Sequence, residues 1–321
     1  MRSAGLSRPP GKPAILQPAS SARGRSMAPH HRRRRWVAAV LVIMVAIVAF
    51  VVAVGGGGTA APSAVNQPRD GFFDRIRELA GSGAGSLAAR ERVAENAAIN
   101  RTLAYTPYVR IAGSQHREIA LTFDDGPGPY TPEILATLER RDVPATFFEV
   151  GVLERYFYSS TEAIVADGDA IGDHTEGHLA MSRLSLAGQR SQLLSDAAAV
   201  GRHGARFPRL FRPPYGMWNS TTLGLLRRYR MLMVLWTVDT NDYRRPGVKA
   251  IVNSALAGAR PGAIILLHDA GGDRSQTVKA LPQIIAGLRR RGYRLVTVPR
   301  LLLDNPAPRV QNIAAVIGAG G

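Results

Sequence analysis

Two adjacent carboxylates, Asp124 and Asp125, close the run Glu118-Ile119-Ala120-Leu121-Thr122-Phe123, which the dipeptide Gly126-Pro127 then ends. Paired acids can supply a general base or a metal ligand, and the carboxyl ends of parallel strands are where α/β folds build such sites. A plainer role is also open to them, capping a helix that begins near Thr131. Further along stands Gly172-Asp173-His174-Thr175-Glu176-Gly177-His178-Leu179. Histidines four apart face the same way on a helical turn, so both imidazoles can reach one ion. Asp124 or Asp125 would complete a set of two histidines and one carboxylate, which leaves positions open for water and substrate. Two exposed loop histidines would show the same spacing.

Three more runs have this character. Phe211-Arg212-Pro213-Pro214-Tyr215-Gly216 puts an arginine at a strand end before a stiff turn. Its prolines cannot donate amides, which makes the Tyr215 N–H an identifiable fixed donor; an ordinary surface turn is the alternative. Trp236-Thr237-Val238-Asp239-Thr240-Asn241-Asp242-Tyr243 and Ile264-Ile265-Leu266-Leu267-His268-Asp269 also pass from apolar to polar. Five strand-like runs ending in ligands, acids and bases form a constellation rather than five separate accidents.

The elements that must position these residues are legible as short apolar runs alternating with amphipathic ones. Strands are expected over Ile119–Phe123, Ala145–Val150, Met231–Trp236, Ala263–Leu267 and Tyr293–Val298. Thr131-Pro132-Glu133 reads as a helix start, with Thr131 as N-cap and Pro132 first in the helix. Further helical faces are Leu186, Leu193, Ala197 and Val200, then Val248, Ile251 and Val252, then Val278, Leu281, Ile285 and Leu288. Alternation of this kind predicts a parallel sheet, open or closed into a barrel.

Outside that region the chain changes character. Residues 1–35 hold nine of the basic residues and no acid, and they predict a disordered cytoplasmic tail. Trp36–Val54 carries no charged side chain and is long enough to cross a bilayer, so a signal anchor is expected, with the rest of the chain extracytoplasmic under the positive-inside bias. Secretion after cleavage of a signal peptide is the alternative, given the small residues Thr59-Ala60-Ala61. Residues 55–115 read as a linker and helical stalk broken at Gly81–Gly85, residues 116–304 as the catalytic domain, and residues 305–321 as a flexible tail. Nine of the 17 net positive charges lie in the first 35 residues, leaving +8, without the interleaved aromatics of a nucleic-acid surface. Absence of cysteine excludes disulfides, thiolate zinc ligands and thiol nucleophiles.

The five runs, in this order, resemble the motifs of the polysaccharide deacetylase (NodB-homology) family, carbohydrate esterase family four. The resemblance spans roughly Glu118 to Leu303, and Ala145-Thr146-Phe147-Phe148 with Gly151 is similar to the family's second strand. It implies an α/β fold, a distorted (β/α) barrel with about seven repeats, fewer than the eight of the full barrel. It implies a divalent metal, Zn2+ by preference, held by Asp125, His174 and His178, with Asp124 as the base that deprotonates water. The Tyr215 amide would help hold the oxyanion, and His268 would protonate the leaving amine. Asp242 would fix the tautomer of His268, Arg212 would orient Asp124 and keep it charged, Leu266 would line the acetyl-methyl pocket, and Tyr243 would form a substrate wall.

Three departures from the family pattern stand out: Asp173 where asparagine is frequent, Tyr243 where tryptophan is, and Glu149 in an apolar strand. Asp173 would add negative charge beside the metal, and Glu149 must be exposed, paired or near the site. The expected function is removal of acetyl groups from an acetylated extracytoplasmic glycan, with peptidoglycan N-acetylglucosamine preferred. Chitooligosaccharide and O-acetyl xylan are alternatives, as are amide hydrolysis of a small molecule and a non-catalytic glycan-binding wall protein.

Overall fold

The computed structural model describes residues 72–312, with side chains from residue 87 onward. Helix α1 (Phe72–Leu103) runs without a break through Gly81–Gly85. Strands β1 (Tyr108–Val109), β2 (Glu118–Gly126), β3 (Thr146–Glu149), β4 (Ala170–Asp173), β5 (Leu210–Phe211), β6 (Leu232–Val234), β7 (Val238–Asp239), β8 (Ala263–His268) and β9 (Arg294–Leu295) build one sheet. Between them lie α2 (Thr131–Arg140), α3 (Glu154–Asp167), α4 (Leu186–Gly201), α5 (Ser220–Tyr229), α6 (Val248–Ala257) and α7 (Ser275–Arg290), and α8 (Val298–Asp304) follows β9.

Every strand pairing is parallel, in the order β1-β6-β5-β4-β3-β2-β8-β7, with β9 added to the start of β2. The sheet curls, but it is not the barrel of about seven repeats expected by analogy with the full (β/α) barrel. Its ends β1 and β7 are not paired to each other, and a single antiparallel bridge, Ile111 to Ala263, is what reaches from beyond β1 to β8. Four of the strands have only two residues, too short to close a ladder.

Alternation along β2 decides what faces the site. Ile119, Leu121 and Phe123 point outward into a core shared with Ile134 and Leu138 of α2 and Leu281, Ile285 and Leu288 of α7. Ala120 points the other way, into a second core with Phe148, Ile264 and Val234 that Val298, Leu301 and Leu302 of α8 help to fill. The two-residue period therefore carries Thr122 and Asp124 onto the inner face above Ala120. Each fully buried Leu or Ile contributes about 1.5–3 kcal/mol, so these two cores hold the strand ends in place.

Several expectations need correction. The transmembrane helix expected at Trp36–Val54 lies outside the described residues, and no helix among those is long and apolar enough to cross a membrane. No described helix supports the expected single-pass topology or membrane partner. Thr131 is not the N-cap of α2 but its first helical residue, after Tyr130. Its hydroxyl donates to Asp269 Oδ2 at 2.5 Å and accepts from the Gly128 amide at 2.8 Å. Leu186 is exposed at the start of α4 while Leu193 and Val200 are buried. The run Tyr293–Val298 is a strand only at Arg294–Leu295 and then enters α8.

The ends of the domain are tied in. Ala98 and Ile99 of α1 are buried beside α8, and Arg209 donates to Asn100 Oδ1 at 2.7 Å. Past α8, the Gln311 side chain accepts from the amides of Arg110 and Ile111 at 2.7 and 3.0 Å.

Candidate active site

The carboxyl ends of β2, β4, β5 and β8 meet on the inner face around a cavity of about 570 Å³. Asp124, Asp125, His174, His178, Tyr215, Tyr243, Leu266 and His268 all line it. Arg212 and Asp242 stand immediately behind, as the partners of Asp124 and His268.

Asp125 turns its carboxylate into the cavity because its backbone is left-handed, with φ 72°. Its Oδ1 lies 3.1 Å from His178 Nε2 and 3.6 Å from His174 Nε2, and the three ligand atoms sit within 4.8 Å of one another. No other group of three such side chains among the described residues comes so close. The histidines do not share a helical turn; they flank a loop in which Thr175 and His178 have φ of 71° and 53°. His174 donates from Nδ1 to the Arg212 carbonyl at 2.7 Å, which fixes its tautomer and leaves the Nε2 lone pair facing Asp125. His178 Nδ1 lies 3.1 Å from the Tyr215 hydroxyl. Two imidazole nitrogens and one carboxylate oxygen, each oriented from behind, suit a divalent cation of the zinc type. Burial would raise the Asp125 carboxyl, but the two histidines facing it, with His268 nearby, hold it well below the usual range.

Asp124 is 3% exposed and points to the same place from the inner face. Arg212 Nη1 donates to its Oδ1 at 2.6 Å and to the Thr122 hydroxyl at 2.9 Å. Arg212 is itself fully buried, with Nε bonded to the Val234 carbonyl at 3.0 Å and the guanidinium over the Phe148 ring at 4.1 Å. Asp124 Oδ2 is left toward His174, 3.7 Å from its Nε2.

At the end of β8, His268 Nδ1 lies 2.7 Å from Asp242 Oδ1, while Asp242 Oδ2 accepts from the His268 amide and the Thr277 hydroxyl, both at 2.8 Å. Burial pulls the imidazole down, but the Asp242 charge and hydrogen bond outweigh it and raise the group to about 9. Burial likewise would raise Asp242, and the facing imidazole holds it below its ordinary value. The Tyr243 ring packs edge-on against His268 at 5.2 Å, and Leu266, 3% exposed, forms the apolar floor beside it. Tyr215 has φ 59° in the turn Pro214–Gly216, and its amide N–H has no hydrogen-bond partner among the described residues.

This arrangement can be compared with known proteins. The family model described as polysaccharide deacetylase matches residues 112–234. A chitooligosaccharide deacetylase of Bradyrhizobium sp. (strain ANU 289) is 39% identical over 198 residues, which is 58% of this chain and 90% of that protein.

The chain belongs to the polysaccharide deacetylase family.

A peptidoglycan-N-acetylglucosamine deacetylase of Bacillus cereus is 40% identical over 187 residues, 57% of this chain and 87% of that enzyme. A crystallised peptidoglycan N-acetylglucosamine deacetylase superposes with a TM-score of 0.60 at 32% identity, over 62% of this chain and 94% of its own. As a member of the family, this deacetylase is a hydrolase of N-acetyl amide bonds with a divalent-metal centre at Asp125, His174 and His178.

Two features of the deacetylase site escape the sequence. Arg274 is buried beside the metal centre, donating to the carbonyls of Ala270 and Gly271 at 2.6 and 2.9 Å with Nη2 4.0 Å from Asp125 Oδ2. Its only signal is a position after Gly271-Gly272-Asp273, which marks a turn and no chemistry. Behind β3 and β4, Glu149, Glu154, Asp173 and Asp196 are fully buried together. Glu149 and Glu154 share the Thr161 hydroxyl at 3.1 and 2.9 Å, so Glu149 is paired with a second acid and not exposed. Burial first, and the neighbouring acids after it, push Glu149 and Asp196 well above the ordinary range. Burial raises Asp173 in the same way, so it is not the plain negative charge beside the metal that its sequence position suggests.

Proposed function

We propose that this deacetylase removes acetyl groups from N-acetylglucosamine units of chitooligosaccharide-like glycans. One observation carries the reading. A single cavity holds a three-residue metal centre, an arginine-paired Asp124 and an aspartate-paired His268.

Asp125, His174 and His178 would hold a divalent cation, which when bound would supply Lewis acidity to the reaction. Asp124 accepts the water's proton at Oδ2, the oxygen that Arg212 leaves unbonded. As the C–O bond forms, negative charge gathers on the acyl oxygen, and the unpaired Tyr215 N–H is the donor for it. Removing one such preorganised donor costs about 2.7–4 kcal/mol of barrier. His268, bonded through Nδ1 to Asp242, offers its Nε2 proton to the departing nitrogen, so the C–N bond breaks to acetic acid, which then ionises to acetate in solvent, and a neutral amine rather than an amide anion. With its imidazole raised to about 9, His268 carries that proton at neutral pH. Leu266 and Tyr243 wall the space beside the reacting carbon, where an acetyl methyl fits.

Support for the glycan comes from the Bradyrhizobium chitooligosaccharide deacetylase, nearly all of which this chain covers. The Bacillus cereus enzyme, at 40% identity, supports peptidoglycan as a second reading. Rates of acetate release from soluble N-acetylglucosamine oligomers and from purified peptidoglycan separate the two. Faster turnover of the oligomers is expected, and release from peptidoglycan alone would overturn the preference.

A further inference from the structure

The loop between β8 and α7 packs against the metal centre from one side. Gly271 has φ 72°, and a Cβ there would stand 2.3 Å from Asp125 Oδ2 and 3.0 Å from its Cγ, so the loop backbone lies directly on that carboxylate. Arg274 holds the loop in this position. Its Nε donates to the Ala270 carbonyl at 2.6 Å and its Nη2 to the Gly271 carbonyl at 2.9 Å, while Nη1 reaches the carbonyls of Tyr243 and Asp273 at 3.5 and 3.4 Å. These bonds use every N–H of the guanidinium but one, and that one is on Nη2, the nitrogen 4.0 Å from Asp125 Oδ2. The side chain is 5% exposed, at the wall of the cavity.

Carbonyl bonds alone do not call for a buried charge. Burying an ion is costly unless a group of opposite sign stands near it. Among the described residues Arg212 and Arg274 are the only buried guanidinium or ammonium groups. Arg212 bonds directly to Asp124. For Arg274 the one carboxylate within salt-bridge distance among the described residues is that of Asp125. Each of the two adjacent aspartates therefore has its own arginine, one in contact and one held back. The oxygens of Asp125 divide accordingly. Oδ1 stands 3.1 and 3.6 Å from the Nε2 atoms of His178 and His174, and Oδ2 is turned to Gly271 and Arg274.

A carboxylate can ligate a cation through one oxygen or through both. With three protein ligands, a catalytic zinc site keeps a position open for water or substrate, and a second carboxylate oxygen would fill it. We propose that Arg274 is a positioning residue that keeps Oδ2 of Asp125 turned away from the metal, so that Asp125 binds through Oδ1 alone. The inference rests on the metal centre at Asp125, His174 and His178. A positive charge beside Oδ2 competes with the cation for that oxygen. The carbonyl bonds in turn stop the guanidinium from swinging in to a direct pair, which would draw Asp125 off the histidines. Arg274 touches no reacting atom in this role; it acts through Asp125.

The test loads the full chain, Arg274→Gln and Arg274→Lys with Zn2+ and with Co2+. In Arg274→Gln the competing charge is gone, so Zn2+ should bind no more weakly than in the unaltered chain, measured by chelator competition. The kcat for acetate release from an N-acetylglucosamine oligomer should nonetheless fall about 10–100-fold, with little change in KM. Visible absorption of the Co2+ form should weaken, as it does when a cobalt site gains a ligand. Arg274→Lys keeps the charge and should keep the Co2+ spectrum of the unaltered chain. A crystal structure of the unaltered chain with Zn2+ tests the same point without any variant: Oδ1 alone on the ion is expected, and both oxygens on it would overturn the proposal. Weaker Zn2+ binding in Arg274→Gln with an unchanged Co2+ spectrum would also overturn it, leaving Arg274 a staple of its loop. So would an unchanged kcat. Failure of the unaltered chain to bind Zn2+ would remove the metal centre itself, whereas the other contrary results remove only this role of Arg274.

Discussion

Arg212 Nη1 lies 2.6 Å from Asp124 Oδ1, with Arg212 fully buried behind the cavity and Asp124 3% exposed at its wall. Removing one partner of such a pair leaves an uncompensated buried charge and costs about 3–5 kcal/mol. Arg212→Gln should therefore lower unfolding stability by that order, measured by urea titration, and abolish most acetate release. Arg212→Lys should not restore activity, because one ammonium cannot serve Asp124, Thr122 and two β6-side carbonyls together.

The His268–Asp242 pair sets a pH dependence whose sign can be worked out. A histidine raised to about 9 stays protonated below that value and loses its proton as pH rises through it. Activity that needs His268 as an acid should fall on the basic side. A cation at the metal centre adds positive charge, which moves this limb below 9. Asp242→Asn removes the charge that raises the imidazole, so its limb should move further down, with a lower kcat. A pH–rate profile of both proteins checks the order. The same pair contributes stability that is complete below the ordinary histidine value near 6.5 and is lost between there and about 9.

Glu149 and Asp196 should work against stability at neutral pH. Their native carboxyls are raised, so between the ordinary acid range and that higher value the folded chain holds more protons than the unfolded one. Stability then falls as pH rises through that window. Among the described residues, Glu149 Oε2 and both Asp196 oxygens also find no hydrogen-bond partner. Glu149→Gln and Asp196→Asn should raise Tm at pH 7, by about 2–4 °C per kcal/mol for a domain of this size, and flatten its pH dependence. A lower Tm in both would contradict this.

Gly126 shows why the first motif needs a glycine. A Cβ there would stand 2.4 Å from Asp269 Oδ2, the oxygen that also accepts the Thr131 hydroxyl. Gly126→Ala should displace the end of β2 and reduce acetate release strongly, while Gly224→Ala, in open space on α5, should leave it unchanged.

How much of this was legible depended on length and locality. Asp124, Asp125, His174, His178, Arg212, Tyr215, Asp242 and His268 stand at the ends of short apolar runs, and the curled sheet brings those ends together. The long strand β2 was found by its pattern, whereas β5, β7 and β9 are two residues long and show no period. The spacing of the histidine pair fits a helical turn, and spacing alone does not reveal the positive φ of Thr175 and His178. Arg274 is placed by backbone carbonyls of its own loop, which leave no mark in residue type. The acid pairing of Glu149 depends on α3 crossing β3, a tertiary contact that the apolar pattern of the strand does not encode. The membrane anchor was read from apolar length alone, and no described helix supports it.

The most direct test is acetate release by the full chain from an N-acetylglucosamine oligomer, before and after chelation, with Asp124→Asn alongside. The expected result is release that stops on chelation, returns with Zn2+, and is lost in Asp124→Asn although that variant still binds Zn2+. Release that survives metal removal, or persists in Asp124→Asn, would contradict the assignment of this site as a metal-dependent deacetylase centre.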